Sequence, residues 1–404
     1  MANKKITKKQ IRQVKQTIKA VKKSSPGAIF LAFIIFAVAV GGYFIYNKYF
    51  KNPYIAPTGE LEFHFLELNY GTSGDCTYIK AGDKDILIDA GSHYNSLTSI
   101  KSYLDARMTD NKIEYLIVTH ADLDHIACLG DADDGETLFD LYEIEVIIDF
   151  PKTNLDTATY KDYKKNRDAE VQEGAQHFTA LECYNESKTG AQRVYNLSED
   201  GNIKLEILYN WYYDHKASKE NDNSVCVQFH HGSRKFLFTG DLMENGEKKL
   251  AEKYDFSQVE LFKAGHHGSA TSSTDILLQE IQPKVCVACC CAGSVEYTDY
   301  LPKTFPSEEF YNRISVYTDK IYATSTINRV VNQAKPTVEY TLNGVKINIT
   351  NFDNGSDLKA LHGNVTVVSS SDKDVYVSCT GEQAVLKDTA WFREISSLWA
   401  SSPK

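Results

Sequence analysis

The sequence predicts a layered α/β body, in which two sheets carry helices on their outer faces, preceded by one membrane-spanning helix. From Glu60 onward, strand-like apolar segments alternate with helical segments and turn signals, and no internal repeat occurs. An uncharged stretch of 24 residues lies between Lys23 and Lys48. The 404 residues are 42% hydrophobic and 24% charged, which excludes a disordered chain, a collagen and a multi-pass membrane protein.

The N-terminal residues predict a membrane anchor and its orientation. Residues 1–27 form a basic cytosolic tail, residues 28–47 the apolar span and residues 48–59 a linker. Nine Lys/Arg precede the span and two follow it closely, so the positive-inside bias places the rest of the chain outside the cell. The alternative is a signal peptide cleaved near Ala37-Val38-Ala39. The apolar run continues past this point to Tyr46, which favours an uncleaved anchor in a single-pass membrane protein.

The net charge of −10 divides into two opposite parts. Residues 1–59 hold eleven of the 44 Lys/Arg and no acid, so the body holds the other 33 together with all 54 Asp/Glu, a net of −21. An acidic body disfavours a long polyanionic partner, which normally needs a basic groove. In TYKDYKKNR (159–167) there is one basic-aromatic patch, for which a solvated helix face is the favoured interpretation.

The elements follow in order along the body. Strands are predicted first at LEFHFLEL, at TYIKAG and DILIDAG as a hairpin, and then at IEYLIVTH, VIIDF and KLEILYN. Helices are predicted at Leu97–Arg107 and within residues 155–187. Further strands are predicted at NSVCVQF, RKFLFTGD, VELFKAG, PKVCVACC and RISVYT. Residues 336–404 predict short strands and a final amphipathic helix, a β-rich extension that either completes the body or forms an appendage.

Four of the nine cysteines cluster in KVCVACCCAG. The spacing Cys286-x-x-Cys289, followed by Cys290 and Cys291, is compatible with a metal knuckle, but a knuckle needs a second ligand pair and none is evident. The segment has the composition of a buried strand. We therefore expect these thiols to be small core side chains, buried and reduced.

The densest chemical cluster is THADLDHI, residues 119–126. His120, Asp122, Asp124 and His125 lie within six positions directly after an apolar strand. Imidazole and carboxylate groups are natural ligands for Zn²⁺ or Mn²⁺, and a tight turn at a strand end can direct them at two neighbouring ions. The structural alternatives are an Asp that caps a helix and a His that is an ordinary loop residue. Four ligand-type residues so close together favour the metal site.

This cluster resembles the signature of the metallo-β-lactamase superfamily, H-x-H-x-D-H. The variant here, H-x-D-x-D-H, is similar to the extracellular nuclease-type domain of ComEC-like (ComEC/Rec2) proteins, and also to surface choline-phosphate esterases. The resemblance continues in order through ILIDAG (86–91), NSVCVQF (223–229), FLFTGD (236–241) and KAGHHGSATSS (263–273). It implies an αββα sandwich of two mixed sheets with outer helices over residues 60–335. It also implies two divalent metal ions, with Zn²⁺ favoured over Mn²⁺.

The resemblance further implies a ligand set. His120 and Asp122 would bind one ion, Asp124 and His125 the other, and Asp241 would bridge both. One histidine of the pair His266-His267 would complete the second site. His267 is favoured as the ligand, and His266 would face the substrate as a phosphate contact or general acid. The implied catalytic residues are therefore Asp124, Asp241 and His266.

Around these ligands the resemblance implies supporting residues and shows two departures. Asp89 in LIDAG would orient a ligand imidazole, with a structural turn aspartate as the alternative. Asn223 stands where the usual pattern has a third histidine, so the site of His120 and Asp122 should bind metal less tightly. Phe305 stands where ComEC-like domains have the histidine of a His-Pro element, which removes one expected polar substrate contact.

The tetrapeptide HHGS occurs twice, at 230–233 and at 266–269. If Asp241 lies at the metal end of a hairpin, a strand of six residues at about 3.3 Å each puts the first HHGS about 20 Å away. The first copy is therefore predicted to be a surface turn. The second copy follows strand VELFKAG and is predicted to carry the site histidines.

Three functions follow as alternatives. The leading one is a membrane-anchored, outward-facing phosphodiesterase that cleaves DNA with a metal-activated bridging water. The second is a phosphoesterase for a small or cell-wall-linked phosphoester, which needs no basic groove. The third is an inactive surface binding module, which the complete ligand set disfavours. Serine catalysis is disfavoured because no G-x-S-x-G elbow is present.

Overall fold

The structure is a computed structural model that describes residues 58–130, 135–298, 300–327, 337–342, 345–350 and 358–400. The predicted tail and span, with most of the linker, lie outside the described residues. Within the described part of the chain, no helix combines the length and the apolar character needed to cross a membrane.

The strands of the described residues are numbered in chain order. The first ten are β1 (Leu61–Phe65), β2 (Thr77–Ala81), β3 (Lys84–Ile88), β4 (Lys112–Ile117), β5 (Glu143–Asp149), β6 (Gln176–Thr179), β7 (Val194–Asn196), β8 (Ile203–Leu208), β9 (Cys226–His231) and β10 (Arg234–Phe238). The others are β11 (Leu261–Lys263), β12 (Val285–Ala292), β13 (Ile321–Ile327), β14 (Thr337–Leu342), β15 (Val345–Thr350), β16 (Leu358–Ala360), β17 (Val365–Ser370) and β18 (Lys373–Cys379).

The α-helices of the same residues are numbered likewise. They are α1 (Leu97–Asp105), α2 (Leu123–Ile126), α3 (Leu138–Leu141), α4 (Ala158–Glu173), α5 (Ala180–Asn185), α6 (Glu244–Lys253), α7 (Asp275–Ile281), α8 (Glu308–Ile314) and α9 (Ala390–Ala400). Short 3₁₀ turns include Glu220–Asn223 and Gly265–Gly268, which both belong to the site described below.

Two eight-stranded sheets form the body, and both are mixed. The first has the order β18-β17-β1-β2-β3-β4-β5-β6, and the second the order β16-β13-β12-β11-β10-β9-β8-β7. In the first sheet β3 to β6 run parallel, and in the second β10 to β13 do so, while the other neighbours are antiparallel. Strands β14 and β15 form a separate hairpin. The predicted α/β body with two mixed sheets is confirmed.

Apolar side chains from both sheets meet in one core. Phe63 of β1 stacks on Phe236 of β10 with ring centroids 4.7 Å apart, and its edge contacts Phe229 of β9 at 5.4 Å. A second core lies between the outer face of the second sheet and helices α6 to α9, where Leu250, Leu278, Phe310 and Ile395 are buried. Burial of these large side chains on both faces of the sheet holds the helices outside it.

Strand β12 shows why its cysteines are not a metal knuckle. Side chains alternate across a strand, so Cys289 enters the core between the sheets, whereas Cys286 and Cys290 enter the core under the helices. These thiols cannot converge on one ion. All nine cysteines of the chain lie among the described residues and are buried outside disulfide bonds, which agrees with the expectation for the four in β12.

The structure differs from several local predictions. RISVYT is not a strand: Arg313 and Ile314 end helix α8, whose first turn is capped by Ser307, and the strand follows at Ile321–Ile327. The predicted helical region 155–187 contains α4, β6 and α5. In the first HHGS, His230 and His231 end β9, and the turn follows them.

The C-terminal region is built into both sheets. Strand β17 pairs with β1 along five residues, and β16 pairs with β13. Of the two alternatives for residues 336–404, the described part from residue 358 on completes the body. The loops after the parallel strands β4, β10 and β11 meet, and they carry the predicted ligands.

Candidate metal centre

Helix α2 and the residues before it present the predicted ligand cluster. His120 and His125 are fully buried, and their ring centroids lie 4.1 Å apart. Asp122 precedes α2 but its side chain does not cap the helix, which leaves its carboxylate beside His120 at Oδ2–Nε2 3.3 Å. Asp124, in the first turn, lies with Oδ2 3.2 Å from Nε2 of His267. The four residues therefore share one site, as the spacing predicts.

The second sheet supplies the other side of the cluster. Asp241 follows β10, and its Oδ2 lies 3.4 Å from Nε2 of His125 and 3.3 Å from Nε2 of His267. His267 follows β11 and is fully buried. Asp241 thus stands between histidines that come from different sheets, which is the position that a bridging ligand requires.

These side chains fit a metal ion because their inward atoms lack hydrogen-bond partners. Within the described residues, Nε2 of His120, His125 and His267 and Oδ1 of Asp241 are buried and unpaired. One unpaired buried polar atom costs about 1–3 kcal/mol, so four of them at one point need a compensating ligand. Atoms of His120, His125 and Asp241 lie within 4.8 Å of one another. Imidazole nitrogen and carboxylate oxygen together suit a divalent transition metal.

The outward ring nitrogens of two of these histidines are held by acceptors. Asp89 is fully buried, and its Oδ2 lies 2.8 Å from Nδ1 of His125 while it accepts from Thr119 Oγ1 at 2.7 Å. Nδ1 of His267 lies 2.9 Å from the carbonyl oxygen of Cys289. An acceptor at Nδ1 fixes the proton there and leaves the Nε2 lone pair free for a metal. Asp89 therefore stands where the expected orienting carboxylate should be.

The charges of the site favour a cation. Burial disfavours the charged form of His125, but Asp241 and Asp89 outweigh it and raise its pKa well above the usual value. Burial also opposes ionisation of Asp241, yet His267 and His125 lower its pKa well below the ordinary range. Positive charge is therefore stabilised at this point, whether it comes from protons or from divalent ions.

The two consecutive histidines differ in exposure. His266 and His267 both have positive φ, 48° and 56°, which is uncommon for residues with a Cβ and is typical of functional sites. This turn buries His267 and leaves the side chain of His266 21% exposed, with Nδ1 2.9 Å from Thr271 Oγ1. Burial lowers the pKa of His266, which favours a neutral imidazole at the mouth of the site.

The turn at 220–223 carries two amide side chains with different contacts. The side chain of Asn223 donates to Glu220 at 3.0 Å, and Glu220 also accepts from the backbone N–H of Ala121, next to His120. Asn221 is the amide at the mouth, since its Nδ2 lies 3.2 Å from Nε2 of His266. Asn223 therefore supports the cluster indirectly, through its hydrogen bond to Glu220.

An ion pair beneath the cluster was not foreseen from the sequence. Lys263 and Asp75 are both buried, with Nζ–Oδ2 2.5 Å, and Asp75 Oδ1 lies 3.3 Å from Nδ1 of His267. Asp75, His125 and His267 could themselves surround an ion, but the ammonium of Lys263 already neutralises this carboxylate. The available signal was a lysine inside the apolar strand VELFKAG, since a buried lysine needs a partner.

The loop after β12 adds two further residues that were not foreseen. The Tyr297 hydroxyl donates to Asp124 Oδ2 at 3.0 Å, and Glu296 accepts three hydrogen bonds from Ser73. Phe305, in the place of the expected histidine, stacks on His267 with ring centroids 6.0 Å apart. An aromatic side chain here covers the ligand without offering it a polar atom.

The histidines of the first HHGS form ion pairs with residues outside the metal-ligand cluster. His230 pairs with Glu206 at 3.1 Å, and His231 pairs with Glu60 at 2.8 Å. Both belong to the hairpin of β9 and β10, while the second HHGS carries the cluster histidines.

Comparison with known proteins gives one family match, partial sequence relatives and structural neighbours. The profile of the metallo-beta-lactamase superfamily matches residues 69–134 and 220–292. ComE operon protein 3 of Bacillus subtilis is 27% identical over 176 residues, 44% of this chain and 20% of that protein. Competence protein ComA of Neisseria gonorrhoeae is 32% identical over 114 residues, 28% and 15% of the two chains. The metallo-beta-lactamase fold protein YhfI from Bacillus subtilis superposes with a TM-score of 0.37 at 12% identity, over 65% of this chain and 95% of its own.

Two mixed sheets and a histidine–carboxylate cluster that could hold a metal ion characterise the body of this chain. Both matched segments contain ligands of the cluster, namely His120 to His125 in one and Asp241 with His267 in the other. Over these two segments the chain matches the metallo-β-lactamase superfamily, and it is similar in sequence to ComE operon protein 3 and to competence protein ComA. The two aligned regions span a fifth or less of those curated relatives.

Proposed function

We propose that this chain is a membrane-anchored, outward-facing phosphodiesterase that uses two divalent metal ions and acts on DNA. The observation that carries the proposal is the set of buried, unpaired Nε2 atoms of His120, His125 and His267 around Asp241. These atoms contact carboxylates at 3.2–3.4 Å but form no hydrogen bond, and each buried polar atom without one destabilises the fold. A metal ion bound at this point would explain why these atoms are brought together.

The residues have distinct tasks. Divalent ions held by His120, Asp122, Asp124, His125, Asp241 and His267 would supply a water of lowered pKa and neutralise an anionic phosphoester. Asp89 keeps the proton of His125 on Nδ1, away from the metal side. His266, partly exposed beside Asp241, contacts a phosphate oxygen or donates a proton to the leaving group. Asn221 lies 3.2 Å from its Nε2 and restricts the ring.

The substrate assignment rests on two supports and meets one objection. The sequence is similar to ComE operon protein 3 over 176 residues and to competence protein ComA over 114 residues, and a two-metal site suits a phosphodiester. The objection is the body's net charge of −21. It favours, as a second candidate, a small or cell-wall-linked phosphoester, whose binding requires few positive charges beyond the metal ions.

Metal content tests the site. The full chain, purified in detergent, should contain one to two transition-metal ions. Asp124→Ala should lose at least one ion and all hydrolysis, while Asp83→Ala, in the exposed turn between β2 and β3, should keep both. A wild-type chain that takes up no metal from Zn²⁺ or Mn²⁺ solutions would contradict the proposal and support a surface binding module.

The substrate is tested with metal-loaded full chain. Plasmid DNA, a single-stranded oligonucleotide and bis(p-nitrophenyl) phosphate are incubated with Zn²⁺ or Mn²⁺ and, as a control, with excess chelator. DNA cleavage that chelator and Asp124→Ala both abolish is the expected result. Hydrolysis of the small diester with intact DNA would favour the second candidate.

Membrane anchoring is tested separately. The full chain should sediment with membranes, and protease added to whole cells should degrade residues 60–404. Deletion of residues 1–47 should release the protein from the membrane fraction. Recovery of the full chain in the soluble fraction would contradict the anchor without touching the catalytic proposal.

A further inference from the structure

Tyr297 is an exposed aromatic residue fixed at the mouth of the metal centre. Its side chain is 61% exposed, yet its hydroxyl donates to Asp124 Oδ2 at 3.0 Å. An isolated exposed tyrosine is ordinary on a protein surface. This residue is unusual because its hydroxyl is bound to a predicted metal ligand while more than half of the residue stays exposed.

The ring is held from behind by packing. Phe305 lies 5.3 Å from Tyr297 between ring centroids, and Phe305 itself packs on His266 at 5.7 Å and on His267 at 6.0 Å. The adjacent Glu296 is anchored by hydrogen bonds from the backbone and hydroxyl of Ser73, at 2.6–3.0 Å. A ring fixed in this way loses little conformational entropy when a ligand stacks on it.

An exposed apolar residue also precedes Asp124 in the chain. Leu123, directly before Asp124 in α2, is 52% exposed. Two of the large exposed hydrophobic side chains of the described residues therefore adjoin one predicted metal ligand. Exposed apolar surface beside a cluster of charged groups marks a binding site for a ligand with both an anionic and an apolar part.

We propose that Tyr297 is a stacking platform for the nucleobase next to the phosphate held at the metal centre, so that the substrate is an unpaired nucleotide strand. The proposal rests on the phosphodiesterase function proposed above and specifies its substrate class. Stacking on an aromatic ring is available to every base and needs no positive charge. Bases in a duplex are covered on both faces, whereas an unpaired base offers a free face to the ring. An acidic body can therefore bind such a strand through the metal ions and one ring.

The test compares two ligands that differ only in the base. Thymidine 5′-monophosphate and deoxyribose 5-phosphate are titrated calorimetrically into zinc-loaded full chain in detergent. Stacking contributes a factor of about 10 or more in affinity, so the nucleotide should bind about 10-fold more tightly. Tyr297→Ala should remove this preference, and Tyr297→Phe, which keeps the ring, should retain it. Tyr376→Ala is the matched control, since Tyr376 is 55% exposed on β18.

Zinc content and thermal unfolding are measured for each variant. Equal affinity for the two ligands in the wild type, or an unchanged preference in Tyr297→Ala, would overturn the proposal even if the protein cleaves DNA. If Tyr297→Ala loses zinc, the result for Tyr297→Phe is used instead. A Tyr297→Phe protein that keeps its full zinc content but no longer prefers the nucleotide would also overturn the stacking proposal. A base preference that depends on the ring, in a protein that hydrolyses no phosphodiester, would sustain the stacking site and refute the proposed function.

Discussion

Replacement of Asp89 by asparagine tests whether this carboxylate prepares His125 for metal binding. The side chain is fully buried and accepts three hydrogen bonds, from Thr119 N and Thr119 Oγ1 at 2.7 Å each and from His125 Nδ1 at 2.8 Å. Asparagine has almost the same shape but one acceptor oxygen instead of two. Asp89→Asn therefore changes the hydrogen bonding without opening a cavity.

Both orientations of the new amide are unfavourable. If its NH₂ group faces His125, it donates to Nδ1, and the imidazole proton moves to Nε2, where it blocks the metal. If the NH₂ group faces the backbone N–H of Thr119, two donors oppose each other in a buried site. Hydrogen bonds to charged groups contribute about 1.5–3 kcal/mol, so we expect a loss of roughly 2–4 kcal/mol in unfolding free energy. Substitutions of such orienting carboxylates weaken metal binding by about 10- to 100-fold.

Metal affinity is measured by competition with a chromogenic chelator, and stability by urea unfolding of chelator-treated protein. Asp85→Asn is the control: Asp85, at the other end of β3, is 2% exposed and accepts from Lys80 at 2.9 Å. It should lose stability but keep the wild-type metal affinity. Wild-type metal affinity in Asp89→Asn would refute the reasoning, because the tautomer of His125 would then not depend on Asp89.

Two further predictions concern the support around the site. At Gly130, an added Cβ would lie 2.2 and 2.5 Å from backbone atoms of α4. Gly130→Ala should therefore lower the free energy of unfolding in urea by about 1–3 kcal/mol. Gly71→Ala is the control and should not lower it, because no atom lies within 4 Å of a Cβ added there. Burial raises the pKa of Glu247 from 4.5 to about 7. The folded state then holds this proton more tightly than the unfolded chain, so its contribution is greatest below pH 4.5 and falls by about 3 kcal/mol as the pH rises through 7. Glu247→Gln should remove that part of the pH dependence, and equal slopes in the two proteins would contradict it.

The fold was predictable where local patterns and long-range pairing agree. Alternation in LEFHFLEL predicted β1, and the hairpin of β2 and β3 follows from two apolar segments around a short turn. RISVYT failed because a short apolar segment fits a helix end as well as a strand. The stronger signal was Ser307 followed by Glu308 and Glu309, a cap and acidic first turn that predict helix α8.

The local part of the site was predictable, and the part assembled by topology was not. His120 to His125 lie in one turn, so their spacing alone brings them together. Asp75 precedes β2 and Lys263 ends β11, and only the packing of two sheets makes them neighbours. The same holds for Tyr297 after β12. Asn221 lies at the mouth and Asn223 contacts Glu220, because a 3₁₀ turn points residues two apart in different directions.

The net negative charge that opposes a polyanionic substrate is smaller on the surface of the body than the sequence total of the body. Nine acidic residues of the described part are buried, and the only buried lysine or arginine is Lys263. The nine are Glu62, Asp75, Asp85, Asp89, Asp149, Glu220, Asp222, Asp241 and Glu247. If every other charged residue of the body is taken as exposed, 45 acids and 32 bases remain, a net of −13 instead of −21.

Much of the buried acidity is the site itself. Asp75, Asp89 and Asp241 are paired with the cluster histidines or Lys263, so much of their charge is balanced within the site. Two divalent ions would add about four positive charges at the point where a phosphate binds. If the metal ions neutralise the phosphate of a substrate and an aromatic ring stacks on its base, the substrate requires no long basic groove. The charge of the body therefore disfavours tracking along a duplex more than it disfavours cleavage of an unpaired strand.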